Sequence, residues 1–316
     1  MKKILTIDGG GIKGVFASSF LAEIEETAGS PIAEYFDLIA GTSTGGIIAL
    51  CLGLGYTAKE TLAFYEELGP RVFAGNRFVR WMKHWPWTKY DSKPLRELLE
   101  ATFRSARLGD SKVRLVIPST HLETGEVHIF KTAHHPKLAK DYLRSAVDVA
   151  LATSSAPTFF PTHRSAAGTP LVDGGVWCNN PAGLAAVEAL SMLGWTKGNI
   201  ELLSVSCTSS PPTVKPKPWF GGRLYWATQI VDVVTAAQSS ASVGTAQHLL
   251  GHDHVLRVDP PAAPGRFALD DPGQIESLRG LGASEARKEI PRISERFLQQ
   301  KAATFAPLRT PSPSFS

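Results

Sequence analysis

DLIAGTSTGGIIALCLGL, residues 37 to 54, reads as three pieces in succession. Phe36 to Ala40 is an apolar run of strand length, GTSTGG is too rich in glycine and hydroxyls to extend it, and IIALCLGL is apolar enough for a buried helix. A strand delivered straight into a helix is the repeating unit of α/β proteins. Inside the turn, Gly41-Thr42-Ser43-Thr44-Gly45 has the form G-x-S-x-G. In that context the serine sits on a sharp bend, and its hydroxyl projects above the sheet. Gly41 and Gly45 would let strand and helix pass closely, and the helix N-terminus favours developing negative charge. Read without its neighbours, the same stretch is only a glycine- and hydroxyl-rich turn, and the strand-turn-helix context weighs against that reading. Leu38 to Ala58 carries no charge and is long enough to cross a bilayer. Its five glycines and the run Thr42-Ser43-Thr44 favour a buried strand, turn and helix over a membrane span.

Upstream, KKILTIDGGGIKGVFA (residues 2 to 17) predicts a short strand over Ile4 to Ile7, a glycine loop and a helix that Gly29 ends. Gly9, Gly11 and Gly14 fit the spacing of a dinucleotide loop. Such a unit wants an acidic residue roughly 20 positions on, at the end of the second strand. Asp37 stands at the start of its strand, and Thr42-Ser43-Thr44 occupy the end. The loop has the spacing of a nucleotide site without its context. The amides of Gly10 and Gly11 suit instead the oxyanion of a reacting ester, with Lys13 adding positive charge. Asp8 is expected to tie down the loop through side-chain hydrogen bonds.

Strands and helices go on alternating. Thr57 and Glu60 form a capping-box pattern, and Ser92 with Pro94 opens another helix. Strands are expected over Val113 to Ser119 and Val127 to Lys131, a helix over Ala139 to Thr153, and a strand at LVDGG. A helix from Asn180-Pro181, a strand over Ile200 to Ser206 and a mostly helical stretch over Leu224 to Leu250 follow. This order predicts an α/β fold in three layers, a central, mostly parallel sheet with helices on both faces. One domain is expected over residues 1–301, with 302–316 a disordered tail.

Composition narrows the partners. A net charge of +4 over 316 residues does not by itself argue for a nucleic acid polymer. Cys51, Cys178 and Cys207 show no metal spacing and suit a reducing compartment. Only four uncharged residues separate Lys3 from Asp8, too few for a signal-peptide core. Between Glu67 and Asp91 there are Arg71, Arg77, Arg80, Lys83 and Lys89, interleaved with Trp81, Trp85, Trp87 and other aromatics and with no acidic residue. That segment is a candidate lid or membrane contact; an ordinary surface loop with inward aromatics weighs equally. KPKPWFGGRLYW at 215 to 226 is a second basic-aromatic stretch.

A serine nucleophile needs a base. His248, His252 and His254 satisfy the chain order of a Ser-Asp-His enzyme, but GHDH lacks a strand-end context. His134 and His135 read as a solvated pair, and His121 as a polar strand end. Asp173, in LVDGG at a strand end, is the better-placed acid; the plainer reading is an aspartate bonding the amides of its own turn. An aspartate serving as base needs burial or a tuned hydrogen-bond network.

DGGGIKG, GTSTG and DGG, in this order and with VALATSSAPTFFP between the last two, resemble the patatin-like phospholipases over roughly Lys3 to Leu193. The resemblance implies a Ser43–Asp173 dyad in a patatin-like fold. It also implies an oxyanion hole at Gly9, Gly10, Gly11 and Lys13, an elbow of Gly41, Thr42, Thr44 and Gly45, and a DGG turn with Gly174 and Gly175. It implies phospholipase A-type hydrolysis of lipid acyl esters, with no metal ion and no cofactor needed for the chemistry. GEVHIFKTAHH, DYLRSAVDVALATSSAPTFFP and LVDGGVWCNNP look, more narrowly, like the bacterial patatin-like effectors of anti-phage signalling. That likeness implies activation by a cyclic dinucleotide such as a cyclic GMP-AMP, membrane phospholipid as substrate, and a cytoplasmic enzyme working peripherally at the inner membrane. It leaves a homo-oligomer open. A constitutive patatin-like esterase, or a non-catalytic nucleotide binder using the glycine loop, stands as the alternative.

Overall fold

A computed structural model of the chain describes residues 1–73, 88–208, 230–263 and 265–311. In chain order the strands are β1 (Lys2–Ile7), β2 (Leu38–Gly41), β3 (Arg114–His121), β4 (Val127–Lys131), β5 (His163–Arg164), β6 (Pro170–Asp173), β7 (Ile200–Val205) and β8 (Val255–Val258). The α-helices are α1 (Gly14–Ala28), α2 (Thr44–Gly53), α3 (Ala58–Val72), α4 (Lys93–Phe103), α5 (Ala146–Ser154), α6 (Gly175–Cys178), α7 (Ala182–Val187), α8 (Ile230–Leu250) and α9 (Ile275–Phe297). The strands form one 8-stranded sheet in the order β5-β6-β3-β2-β1-β7-β8, with β4 also on β3. The central run from β3 to β8 is parallel, whereas β4 and β6 pair antiparallel with β3, and β5 antiparallel with β6.

Both faces of the central strands are buried, so these strands carry apolar side chains in both directions. Leu5, Ile7 and Ile39 join one core with residues of α1, α2, α3, α4, α5 and α9; Ile4, Leu38, Ala40 and Val116 join another with residues of α7 and α8. The uncharged run that could have suggested a membrane helix is accounted for here, because every residue of α2 is buried in protein. Among the described residues no helix is long and apolar enough to cross a membrane.

Local signals act as their chemistry dictates. Gly29 caps α1 at φ 66°, the left-handed geometry that suits glycine. Thr57 and Glu60 exchange both bonds of the capping box. Ser92 stands at the N-cap of α4 but makes no side-chain capping bond. The helix expected from Ala139 is shorter: a 3-10 turn spans Asp141–Leu143, and α5 starts at Ala146, where the Ser145 side chain accepts from the Asp148 amide. The boundary expected at 302 is also corrected. Ala302 N donates to Glu34 O at 2.8 Å, Leu308 N donates to Ala133 O at 2.8 Å, and buried Phe305 packs under the Arg114 guanidinium. Apolar Phe305 and those two amides hold a segment that its proline and serine content suggested would be loose. Trp81, Trp85, Trp87 and the stretch 215–226 lie outside the described residues.

Candidate active site

Ile7 and Gly41 are register partners, so β1 and β2 end side by side and their following loops leave the sheet together. That carboxyl edge is where open α/β sheets bind ligands. Asp37 lies at the opposite end of β2, where it pairs with Lys2 at 2.6 Å and accepts from the Lys3 amide at 3.0 Å. It is remote from the glycine loop it would have to serve in a dinucleotide site.

Ser43 has φ 55° and ψ −121°, a conformation that costs on the order of 1–3 kcal/mol and persists only where its surroundings fix it. Four hydrogen bonds do so. Thr42 N donates to Ile7 O (3.2 Å), Thr42 Oγ1 to Cys178 O (2.7 Å), Ser43 N to Thr153 Oγ1 (3.0 Å) and Thr44 Oγ1 to Gly11 O (2.7 Å). A Cβ on Gly41 would stand 2.0 Å from Gly45 O, and one on Gly45 would stand 2.1 Å from Ile7 O. Neither position can carry a side chain without opening the elbow.

The Ser43 hydroxyl donates to Asp173 Oδ2 at 2.6 Å. Asp173 ends β6, opposite Ser119 of β3, and its other oxygen, Oδ1, accepts the Gly175 amide at 2.6 Å. The carboxylate therefore does bond its own turn, with one oxygen, while it presents the other to the serine. Gly174 is required next to it, since a Cβ there would meet Pro118 O at 2.3 Å. Asp173 is only 5% exposed. Burial raises its pKa to about 6, against the opposing bonds from Ser43 and Gly175. Such a carboxylate is a stronger proton acceptor than an ordinary aspartate, and it stays largely ionised at neutral pH.

The glycine loop divides its amides. Gly9 N donates to Asn179 O at 2.9 Å, and Asn179 Nδ2 returns a bond to Gly9 O at 3.3 Å. Gly9 is thus a fixed point of the loop, and its amide is not a free donor, which corrects its expected place in the oxyanion hole. The close approach still requires glycine: a Cβ there would meet Asn179 Oδ1 at 2.4 Å and Ser43 Cβ at 3.2 Å. The Gly10 and Gly11 amides make no hydrogen bond among the described residues. Gly11 turns at φ 58° beneath Leu269 O, which accepts Ile12 N at 2.9 Å. Lys13 donates to Thr208 O at 3.0 Å, and burial lowers its pKa. It braces the loop against the segment that follows β7 and makes no hydrogen bond to Ser43.

Asp8 ties down the loop as expected, through a partner the sequence did not reveal. Arg257 of β8 holds both its oxygens, at 3.0 and 2.6 Å, and also bonds Ser204 Oγ and Asp259. Burial raises the Asp8 pKa and the guanidinium opposes it. No described histidine bonds the dyad. His254 pairs with Glu201 at 2.7 Å. His134 is buried between Thr132 and Glu188, where a solvated residue was expected. Thr153, Asn179 and Arg257 are the contributors that sequence reasoning missed. Thr153 and Asn179 stand in the quoted stretches VALATSSAPTFFP and LVDGGVWCNNP without a role being assigned to either, nothing local marks Arg257, and only the fold brings the three here.

A family model described as patatin-like phospholipase matches residues 5–186. A cGAMP-activated phospholipase of Pseudomonas aeruginosa is 34% identical over 91% of this chain and 88% of its own length. Another from Vibrio cholerae is 36% identical over 95% of this chain and 92% of its own length. A plant relative, patatin-like protein 2 of Arabidopsis thaliana, is 34% identical over 58% of this chain and 52% of its own.

Proposed function

This chain belongs to the patatin-like phospholipase family and is a serine lipid acyl hydrolase, and from that premise we propose that Ser43 and Asp173 carry its chemistry. The observation that carries the assignment is the 2.6 Å hydrogen bond from a serine on a constrained elbow to a buried carboxylate with no cation beside it among the described residues. Asp173 Oδ2 takes the Ser43 proton as Oγ attacks the ester carbonyl. The Gly10 and Gly11 amides receive the oxyanion, each such donor being worth about 3–4 kcal/mol in the transition state. Asp173 then returns the proton to the departing lysolipid alcohol. Water, deprotonated by the same carboxylate, attacks the acyl-enzyme and releases a fatty acid. Every proton in the cycle moves through one carboxyl group, so no histidine is required.

The substrate is a membrane phospholipid, cleaved in phospholipase A fashion, and the enzyme works peripherally at the cytoplasmic face of the inner membrane. The activator is a cyclic dinucleotide of the cyclic GMP-AMP type, in a bacterial anti-phage response. What supports this regulation is the likeness over nine-tenths of the chain to relatives named as cGAMP-activated.

A fluorophosphonate probe should label the wild-type chain at Ser43, and Ser43→Ala should lose labelling and at least about 10⁴-fold in phospholipid turnover. Retained turnover in folded Ser43→Ala would remove the dyad. Turnover of vesicles that does not change on adding cyclic GMP-AMP would identify a constitutive hydrolase.

A further inference from the structure

A cavity of about 310 Å³ opens between the start of α4 and the end of α5, outside the dyad. Ser92, Arg96, Ser155, Thr162, His163 and Arg164 supply its polar lining, and none of the described residues lining it is acidic. Two guanidinium groups and the Ser92 and Thr162 hydroxyls are the donor chemistry that recognises phosphate; the Ser155 hydroxyl already donates to Leu151 O at 2.7 Å. The Ser92 hydroxyl is not spent on capping α4. His163 is buried and oriented, its Nε2 donating to Asp148 Oδ1 at 2.7 Å, so it fixes the cavity wall and the two arginines supply the charge. Arg96 is only loosely engaged, 3.9 Å from Glu100, and Arg164 bonds the Gly168 carbonyl at 3.4 Å. The volume accommodates one phosphodiester and part of what it joins.

The same short segment that forms the cavity wall holds the dyad. Leu151 and Ser155 line the cavity, and between them Thr153 accepts the Ser43 amide on Oγ1 (3.0 Å) and the Gly174 amide on its carbonyl (3.3 Å). The Ser155 carbonyl accepts the Asp173 amide at 3.0 Å. A ligand that shifts the end of α5 therefore shifts the backbone of both reacting residues.

We propose that this cavity is a phosphodiester-binding site coupled to the dyad. The inference rests on the reading above that this hydrolase meets phosphodiesters, either in its cyclic dinucleotide activator or in the headgroup of its lipid.

The test uses the full chain and its Arg96→Gln/Arg164→Gln variant. Calorimetry measures cyclic GMP-AMP binding. Initial rates compare phosphatidylglycerol vesicles with a soluble neutral ester, with and without nucleotide. If the activator is the source, the double substitution raises the nucleotide Kd about tenfold or more, and the half-activating concentration rises with it. If the headgroup is the source, the preference for phosphatidylglycerol over the neutral ester falls about tenfold while nucleotide binding, where it occurs, holds. Changes below twofold in both quantities, in a variant that melts and labels with fluorophosphonate like the wild type, overturn the proposal. Should the double variant melt early, Arg164→Gln alone, at an exposed position, is read in the same way. A wild-type chain that ignores the nucleotide removes the regulatory reading only, and the selectivity ratio then decides the site.

Discussion

Asp8 and Asp173 share a sequence context and part company in chemistry. Each stands at the carboxyl end of a strand, Asp8 just past β1 and Asp173 as the last residue of β6; each is followed by two or more glycines, and each is about 95% buried. Asp8 faces Arg257, which holds both its oxygens, so its charge is neutralised and it anchors a loop. Among the described residues the Asp173 carboxylate faces only a serine hydroxyl and one amide. No cation among those residues offsets its burial, and its pKa rises to about 6, as the proposed proton transfer needs. A D-G-G string therefore specifies a turn, and the group across from the carboxylate decides whether the turn is a brace or a base.

The largest effect that would sharpen this contrast is on turnover. Asp173→Asn should lower kcat on phospholipid vesicles by about 10³–10⁴-fold, because an amide cannot accept the Ser43 proton. The same variant should melt at the wild-type temperature or above it. The folded pKa of Asp173 exceeds its unfolded value, so the ionised group destabilises the fold above about pH 6. Any thermal gain from asparagine should shrink as pH falls below 6, and it should vanish below about 4, where the aspartate is protonated in both states. A variant that unfolds at neutral pH would show that Asp173 is a brace after all.

Arg257→Gln should do the opposite at Asp8, costing about 3–5 kcal/mol in urea unfolding by leaving a buried carboxylate unpaired. Adding Asp8→Asn should recover part of that loss, since the neutral amide removes the stranded charge. Additive losses in the double variant would mean that the two groups do not act as a pair. Smallest is the response to acid. The kcat/KM of the wild type should level off above about pH 7 and fall about tenfold for each unit below 6, as Asp173 takes up a proton. A flat profile down to pH 5 would break the assignment of Asp173 as base.

Much of this was legible in the chain. GTSTGG between an apolar strand and an apolar helix predicted the elbow, because the need for Gly41 and Gly45 arises from backbone atoms only a few residues away or on the adjoining strand. The parallel centre of the sheet followed from alternating strands and helices for the same local reasons. What stayed hidden depends on distant partners. Gly9 was read as a donor, and only the packing of Asn179, 170 positions later, shows its amide already used. Asp8 was read as a tie without its partner, since Arg257 arrives from the far edge strand. His134 looked solvated because Glu188, its buried counterpart, lies 54 positions away. The antiparallel course of β6, which sets Asp173 against Ser43, has no local signature either, since LVDGG reads alike in both directions of pairing.

The dyad joins residues 130 positions apart, and Asn179 and Cys178 fasten the glycine loop and the elbow from the same late stretch of chain. Domains fold as units, so a sheet that draws on both halves of the chain is completed only when the late residues have been made. For the time it takes to make those later residues, the chain owns a hydroxyl with neither its proton acceptor nor its backbone clasp. A chain cut short before residue 173 would therefore carry the elbow serine without the carboxylate and backbone contacts that surround it.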